Sequence, residues 1–424
     1  MWRRGLTGLS IALLLVGCEP GTTPSSGPER IILIVVDTLR RDHVSAYASD
    51  LSPSKVETPN IDRLAAGGQI FQNASSAFHS TTMSMAALFA GRTPSIEFGD
   101  ARAALDWNTF ASCGMSRFAL DEADDACVPN AVQTLAEDLR AAGYWTAGIV
   151  SNKLLFRPYG YDQGFDLWFE VGRVPPDKKL NARQSARIRT AEHVNKSVLS
   201  ILANRKSDRF FLYIHYIDVH DWILFDISYA ESVRRFDKHL GVLLDSLESS
   251  GLLTNSAIVF TSDHGEMLID HHLDFEISRH YGNPSFEPLL RVPLIIKPAL
   301  DKPSNTFVRG QDIRGLIREI AGLAGAPDPD LEPDELLVTE RFYQTYRKGN
   351  WKSMWERNQE HLMLFDLDAD PDELNNLASQ RTDILNTHRK RVDQLVKIFS
   401  PANQSPQQLS EEDLDRLRAL GYLD

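Results

Sequence analysis

Residues 31–37 (IILIVVD) and 256–261 (SAIVFT) are strand-length runs with almost nothing polar to turn toward water, and they restrict the fold more than any other feature of the chain. Rich in β-branched residues, they suit strands buried on both faces. Residues 144–151, 210–218 and 292–297 read as further strands. Helical stretches lie between them. Residues 59–67 have Thr58 as N-cap and Gly67 or Gly68 at the end. Residues 84–90 form a short apolar helix before Gly91, and 130–142 stop at Gly143. In 232–250 the apolar residues Val233, Phe236, Leu240, Leu243, Leu244 and Leu247 recur at helical period. Strands alternating with helices predict an α/β fold with a mostly parallel central sheet covered by helices.

The 424 residues suit one large domain plus a smaller one. Composition shifts after Gly325, where 326–333 (APDPDLEP) reads as a turn-rich linker. Beyond it, 335–341 and 361–366 read as strands and 384–399 as a helix, a small α+β subdomain. Residues 409–421 read as a last helix with Ser410 as N-cap. The expected division is a catalytic domain over 30–325 and a C-terminal subdomain over 326–424. The net charge of −13 argues against a nucleic-acid partner, because a phosphate backbone demands a basic footprint. Nothing in the chain fixes an oligomeric state.

Arg3 and Arg4 precede an apolar run at 6–16, too short to cross a bilayer as a mature helix but of the length of a secretory signal. Leu15-Val16-Gly17-Cys18 resembles a bacterial lipobox, which implies diacylglycerol on Cys18 and cleavage before it. The alternative is an ordinary signal peptide with an incidental cysteine. On the lipobox reading, 1–17 is a signal peptide and 18–29 a flexible tether. The protein is then lipid-anchored in the bacterial cell envelope, with Glu19 favouring the outer membrane, facing the periplasm. Of the three cysteines, Cys113 and Cys127 remain once Cys18 carries lipid. An even pair in an exported protein suggests a disulfide closing the 98–128 loop, against two free thiols.

Four distant stretches look built to meet around one metal ion: 31–37, 79–92 (HSTTMSMAALFAGR), 215–220 (HYIDVH) and 261–266 (TSDHGE). Asp263 and His264 follow a strand, where open α/β sheets bind ligands. A carboxylate beside an imidazole is the usual donor pair for a divalent transition metal.

The segments IILIVVDTLRRDH, TPNIDRLAAGG, AALFAGRTP, FFLYIHYIDVH, AIVFTSDHGEML, RVPLIIKP, LFDLDADPDELNNLA and LRALGYL stand in the order in which the sulfatase family of the alkaline phosphatase superfamily carries them. The resemblance covers residues 30–424 and implies an alkaline phosphatase-like sandwich with a C-terminal subdomain. The family's nucleophile motif, C/S-x-P-S-R before a helix ending in G-R, falls on Thr81, Thr82, Met83, Ser84 and Met85 when counted back from Gly91 and Arg92. The Cys or Ser that is oxidised to formylglycine is absent, so no formylglycine is expected. The motif's Arg is absent too. Ser80 and Thr82 stand beside Thr81, and the resemblance chooses Thr81. A metal-coordinated threonine hydroxyl is a competent nucleophile.

The resemblance thus implies a metal site of Asp37, Thr81, Asp263 and His264, holding one divalent ion. The imidazole favours Zn²⁺ or Mn²⁺, with Ca²⁺ left open. It gives His220 a catalytic role, donating to a non-bridging oxygen or protonating the leaving group, and Asn152, Lys153 and His280 contact with an anionic ester, the alternative for Lys153 being a solvated side chain. His215, an odd number of residues from His220, is expected to face away from it if the strand runs straight, as a buried structural residue. Asp42, His271 and His272 are expected at the surface. The apolar run 222–225 (WILF) is either core packing or a lip for a hydrophobic substrate. The function so implied is metal-dependent hydrolysis of sulfate or phosphate/phosphonate esters with Thr81 as nucleophile. The alternatives are a phosphoethanolamine-type transferase and a non-catalytic binder of anionic glycans.

Overall fold

The computed structural model describes residues 27–48, 54, 56–96, 114–120, 126–157, 159–175, 177–268, 284–340, 343–356 and 361–400. The 6–16 run, Cys18, Cys113, His271, His272, His280 and the 409–421 helix therefore lie outside the described residues. The strands are β1 (Arg30–Val36), β2 (Gln69–Ile70), β3 (Asn73–Ser75), β4 (Trp145–Val150), β5 (Leu167–Glu170), β6 (Phe210–Tyr216), β7 (Ser256–Ser262), β8 (Leu294–Lys297), β9 (Phe307–Arg309), β10 (Glu335–Thr339), β11 (Tyr343–Lys348), β12 (Trp351–Glu356) and β13 (Met363–Asp366). The helices are α1 (Pro59–Ala66), α2 (Thr81–Ala90), α3 (Leu135–Ala141), α4 (Ala182–Arg187), α5 (Ala191–Ala203), α6 (Tyr229–Ser249), α7 (Glu287–Leu290), α8 (Asp312–Ile320) and α9 (Thr382–Phe399).

Among the described residues, seven strands form the central sheet in the order β2-β8-β7-β1-β6-β4-β5. The β7-β1-β6-β4-β5 part is parallel, and β8 and β2 run antiparallel at one edge. The apolar runs explain this centre. Along β1, Ile31, Leu33 and Val35 enter one core with α2, α3 and α8, while Ile32, Ile34 and Val36 enter the other with α1, α5 and α6. A strand buried on both faces must be apolar along its buried length, and β1 is from Ile31 to Val36. The α/β fold with a mostly parallel sheet is thus as expected.

A second sheet, β10-β11-β12-β13, is a four-stranded antiparallel meander covered by α9. It packs directly against the central unit. Met354, Met363 and Phe365 share a cluster with Met267, Phe286 and Leu289.

Several boundaries differ from expectation. α2 begins at Thr81, three residues before the apolar stretch, so Thr81 sits on its first turn. α3 covers only Leu135–Ala141, because Thr134 and Glu137 form a capping box that starts the helix there. Thr58 does not cap α1 through its side chain. Its hydroxyl is engaged with Ser45, and the Asp237 carboxylate of α6 accepts instead from the Asn60 and Ile61 backbone N–H groups at 3.1 and 2.9 Å. Strand β6 ends at Tyr216, two residues earlier than read.

Candidate active site and metal centre

The alternation along the strands builds the site. The face that carries Ile31, Leu33 and Val35 on β1, Phe211 and Tyr213 on β6, and Val259 on β7 is the face covered by α2. Two-residue steps continue these rows to Asp37, His215 and Asp263. The three strands are neighbours, in the order β7-β1-β6. Their polar residues converge near the carboxyl ends, and a ligand atom from each of Asp37, His215 and Asp263 lies within 4.8 Å of the others. All three are fully or almost fully buried.

α2 delivers Thr81 to this cluster. Every residue of the helix except Thr82 is buried, so its position is fixed by packing on both sides. Thr81 Oγ1 lies 3.5 Å from Asp37 Oδ2 and 3.5 Å from His264 Nε2. Ser80 is the helix N-cap position, and the Thr82 carbonyl accepts from the Tyr161 hydroxyl at 2.8 Å.

Asn152 follows β4 and completes the group. Its Nδ2 donates to Asp37 Oδ2 at 2.6 Å and to Thr81 Oγ1 at 3.3 Å. Its Oδ1 accepts from the Leu154 N–H at 2.9 Å, which fixes the amide's orientation. His264 Nδ1 is 2.8 Å from the Gly265 carbonyl, a contact that requires a proton on Nδ1. In the neutral ring Nε2 then presents its lone pair to the cluster, 3.9 Å from Asp37 Oδ1 and 3.7 Å from Asp263 Oδ2.

The charges call for a cation. Burial, with the charge of Asp263 added, pushes the Asp37 carboxyl well above the usual carboxylate range, and the Asn152 hydrogen bond only partly offsets this. Burial also acts to raise Asp263, but the imidazoles of His264 and His215 and the Thr38 N–H hold it below that range. Among the described residues no Lys or Arg pairs with either carboxylate. Asp37 Oδ1, Asp263 Oδ2 and both ring nitrogens of His215 are buried and without a hydrogen bond. Orphaned donors of this kind, two oxygen and one or two nitrogen, fit a divalent metal ion.

The expected residues Asp37, Thr81, Asp263, His264 and Asn152 are thus brought together. Lys153 is half-buried on the turn that Asn152 opens. His220 lies on a one-turn 3₁₀ helix, its Nδ1 3.1 Å from Asp221 Oδ1. Asp221 is in turn held by the buried Arg189, whose Nη2 is 2.9 Å from Oδ2. Asp42 is engaged by Arg40 and His43. Trp222 packs against the second core, whereas Ile223 is exposed. Cys127 is disulfide-bonded.

One expectation is corrected. His215 is buried, but it faces the carboxylate cluster, with Nε2 3.7 Å from Asp263 Oδ2. The parity argument relating it to His220 does not apply, because β6 ends at Tyr216 and the chain turns before His220. The available signal was the imidazole itself, the one strongly polar side chain in FFLYIHY.

A mostly parallel sheet with its polar residues gathered at the carboxyl edge, a buried hydroxyl among them and an antiparallel sheet behind, is the arrangement of the ester hydrolases with the alkaline phosphatase-like fold. Comparison with known proteins narrows the class. The sulfatase profile matches residues 29–318, and the chain belongs to the sulfatase family, a family of sulfate-ester hydrolases. It is 24% identical to the N-acetylgalactosamine-6-O-sulfatase of Bacteroides thetaiotaomicron over 88% of this chain and 94% of that one. It is 26% identical to the human N-acetylgalactosamine-6-sulfatase over 59% of this chain, a match that spans 52% of the human enzyme. Among solved structures, a Bacteroides thetaiotaomicron protein from work on the metabolism of multiple glycosaminoglycans superposes with a TM-score of 0.64 over 88% of this chain and 100% of that one, at 19% identity. The phosphonate monoester hydrolase of Agrobacterium radiobacter does so with a TM-score of 0.56 over 91% and 99%, at 15% identity. At these identities the structural likenesses speak for the fold.

Proposed function

We propose that the protein is a metal-dependent hydrolase of anionic esters, with sulfated glycans as the first substrate class, in which Thr81 is the nucleophile. The observation that carries the reading is the Thr81 hydroxyl, buried at the start of α2 and 3.5 Å from both Asp37 Oδ2 and His264 Nε2. The N-acetylgalactosamine-6-O-sulfatase from Bacteroides supports the substrate class.

Asp37, Thr81, Asp263 and His264 would hold the ion, Zn²⁺ or Mn²⁺ by the chemistry of the imidazole. When bound, it would neutralise the two carboxylates and acidify the threonine hydroxyl. The Thr81 Oγ forms a bond to the sulfur or phosphorus atom as its proton passes to Asp37 Oδ2. The bond from that atom to the ester oxygen breaks, and the departing alcohol takes a proton from His220. Asn152 keeps Asp37 and Thr81 in register throughout. Water then attacks the same atom and gives a proton to His220. The bond to Thr81 breaks, and its oxygen recovers the proton from Asp37. Lys153 and His280 are assigned to binding the anionic ester.

Thr81 lacks the geminal hydroxyl of formylglycine, so its sulfated form has only attack by water as an exit. That chemistry favours phosphonate monoesters and phosphodiesters as a second substrate class. The chain's envelope location and the lipid on Cys18 rest on the lipobox resemblance and complete the reading.

The test is turnover of aryl sulfates and aryl phosphonate monoesters by Thr81→Ala, with mass spectrometry of the quenched wild-type enzyme. Loss of turnover, and a sulfo or phosphono adduct on the peptide containing Thr81, are expected. Full activity in Thr81→Ala would sink the assignment.

A further inference from the structure

We propose that His215 is itself a metal ligand, so that the ion in this site is held by two imidazoles and not one. The proposal rests on the metal-dependent reading above and deepens it. Three observations carry it.

The first is placement. His215 lies on β6, paired in register with Val35 of β1 and Val150 of β4, and its side chain falls in the row that leads to Asp37 and Asp263. The second is that the ring's nitrogens, both buried, go without hydrogen bonds among the described residues. The Asp263 carboxylate, 3.7 Å from Nε2, offsets only part of the cost of an imidazole buried in an apolar strand with neither nitrogen hydrogen-bonded.

The third is distance. His215 Nε2 and Asp263 Oδ2 are 3.7 Å apart, too far for a hydrogen bond. The same 3.7 Å separates His264 Nε2 from Asp263 Oδ2. Two donors about 2.1 Å from one tetrahedral ion lie about 3.4 Å from each other. Both imidazoles therefore stand off Asp263 by a spacing that suits atoms sharing an ion and does not suit atoms bonded to each other.

The donor set becomes Asp37, His215, Asp263 and His264, with Thr81 alongside. Two nitrogens and two carboxylates move the site away from the all-oxygen preference of Ca²⁺ and toward zinc and its neighbours.

X-ray absorption on the zinc-loaded wild-type protein reads the number of imidazoles directly. Two are expected in the wild type and one in His215→Ala. Equilibrium competition with a chelator reads affinity. His215→Ala should raise the zinc Kd by more than about 100-fold, beyond the 10- to 100-fold typical of a residue that only orients a ligand. His264→Ala should behave alike. One imidazole in the wild type would overturn the proposal while leaving a metal site of the expected kind. No stoichiometric zinc would overturn the metal-dependent reading itself. If His215→Ala does not fold, the wild-type count still decides.

Discussion

Asn152 donates from Nδ2 to Asp37 Oδ2 at 2.6 Å, tying the end of β4 to the end of β1 across the intervening β6. The bond is charge-assisted and fully buried, the kind worth about 1.5–3 kcal/mol. Asn152→Ala should therefore lower kcat/KM by roughly 10- to 100-fold if that energy is expressed in the transition state. Asn152→Asp should be worse than Asn152→Ala, since it sets a third carboxylate against Asp37 and Asp263. Steady-state kinetics on both variants checks the order. Equal rates would show that the amide fills space only.

Gly265 follows His264 and donates its N–H to the Leu289 carbonyl at 2.7 Å. A Cβ at Gly265 would stand 1.9 Å from the Pro288 carbonyl oxygen, a backbone atom that cannot swing aside. Gly265→Ala should thus push α7 and the His264 backbone apart. The expected outcome is a loss of about 3 kcal/mol or more in urea unfolding, together with reduced zinc retention, because His264 is the neighbour that moves. Wild-type stability with full metal content would refute this.

The parts of the fold that were legible in the sequence are those in which every residue answers to one environment. β1 and residues 257–260 of β7 are apolar at nearly every position because both faces are buried, and α6 shows its period because one face is not. The order of Asp37, Thr81, Asp263 and His264 was legible because each stands where a strand or helix terminus meets the cluster. His215 was not. It is an interior strand residue, and its role depends on which strands lie beside β6, which no local pattern records. Strands β11 and β12 were missed for a related reason. Their pairing is with each other and with β10, and side chains such as Lys352 and Arg347 are buried by partners far along the chain. Helix α1 shows the same limit in miniature, since its cap comes from Asp237 on another helix.

Lys352 of β12 is one such residue, buried between Glu287 and Glu373 with Nζ 2.9 Å and 2.8 Å from their carboxylates. One ammonium cannot serve both equally. Burial, opposed by Lys352 but reinforced by the charge of Glu287, pushes Glu373 up to about 7 from an ordinary 4.5. Burial is outweighed at Glu287 by Lys352 and Arg291, which hold it below the usual range. A folded-state value above the unfolded one means that the native state binds the proton more tightly. The stabilisation from Glu373 is therefore full below about pH 4.5 and is lost as pH rises through about 7. Over pH 5 to 8 the loss is of the order of 1–3 kcal/mol. Glu373→Gln mimics the protonated form and should remove that slope. Urea unfolding at several pH values checks it, and parallel curves for the two proteins would refute it.

Arg189 and Asp221 are both about 1% exposed, and their ion pair lies directly behind His220. Removing one member of a buried pair leaves the other uncompensated, which costs about 3–5 kcal/mol, while removing both costs far less. Arg189→Met should therefore destabilise the protein by that amount, and adding Asp221→Asn should recover most of it. The recovered double variant isolates the role of the Asp221 charge. An asparagine oxygen still accepts from His220 Nδ1, so the ring keeps its place, but the negative charge behind it is gone. The double variant should fold and still lose roughly 10-fold in kcat, because no carboxylate then stabilises the protonated ring that delivers the proton. Unfolding curves and kcat measured on the same preparations separate the two effects. A double variant no more stable than Arg189→Met would show that the lost stability lies in the packing of the arginine stem and not in an unpaired Asp221.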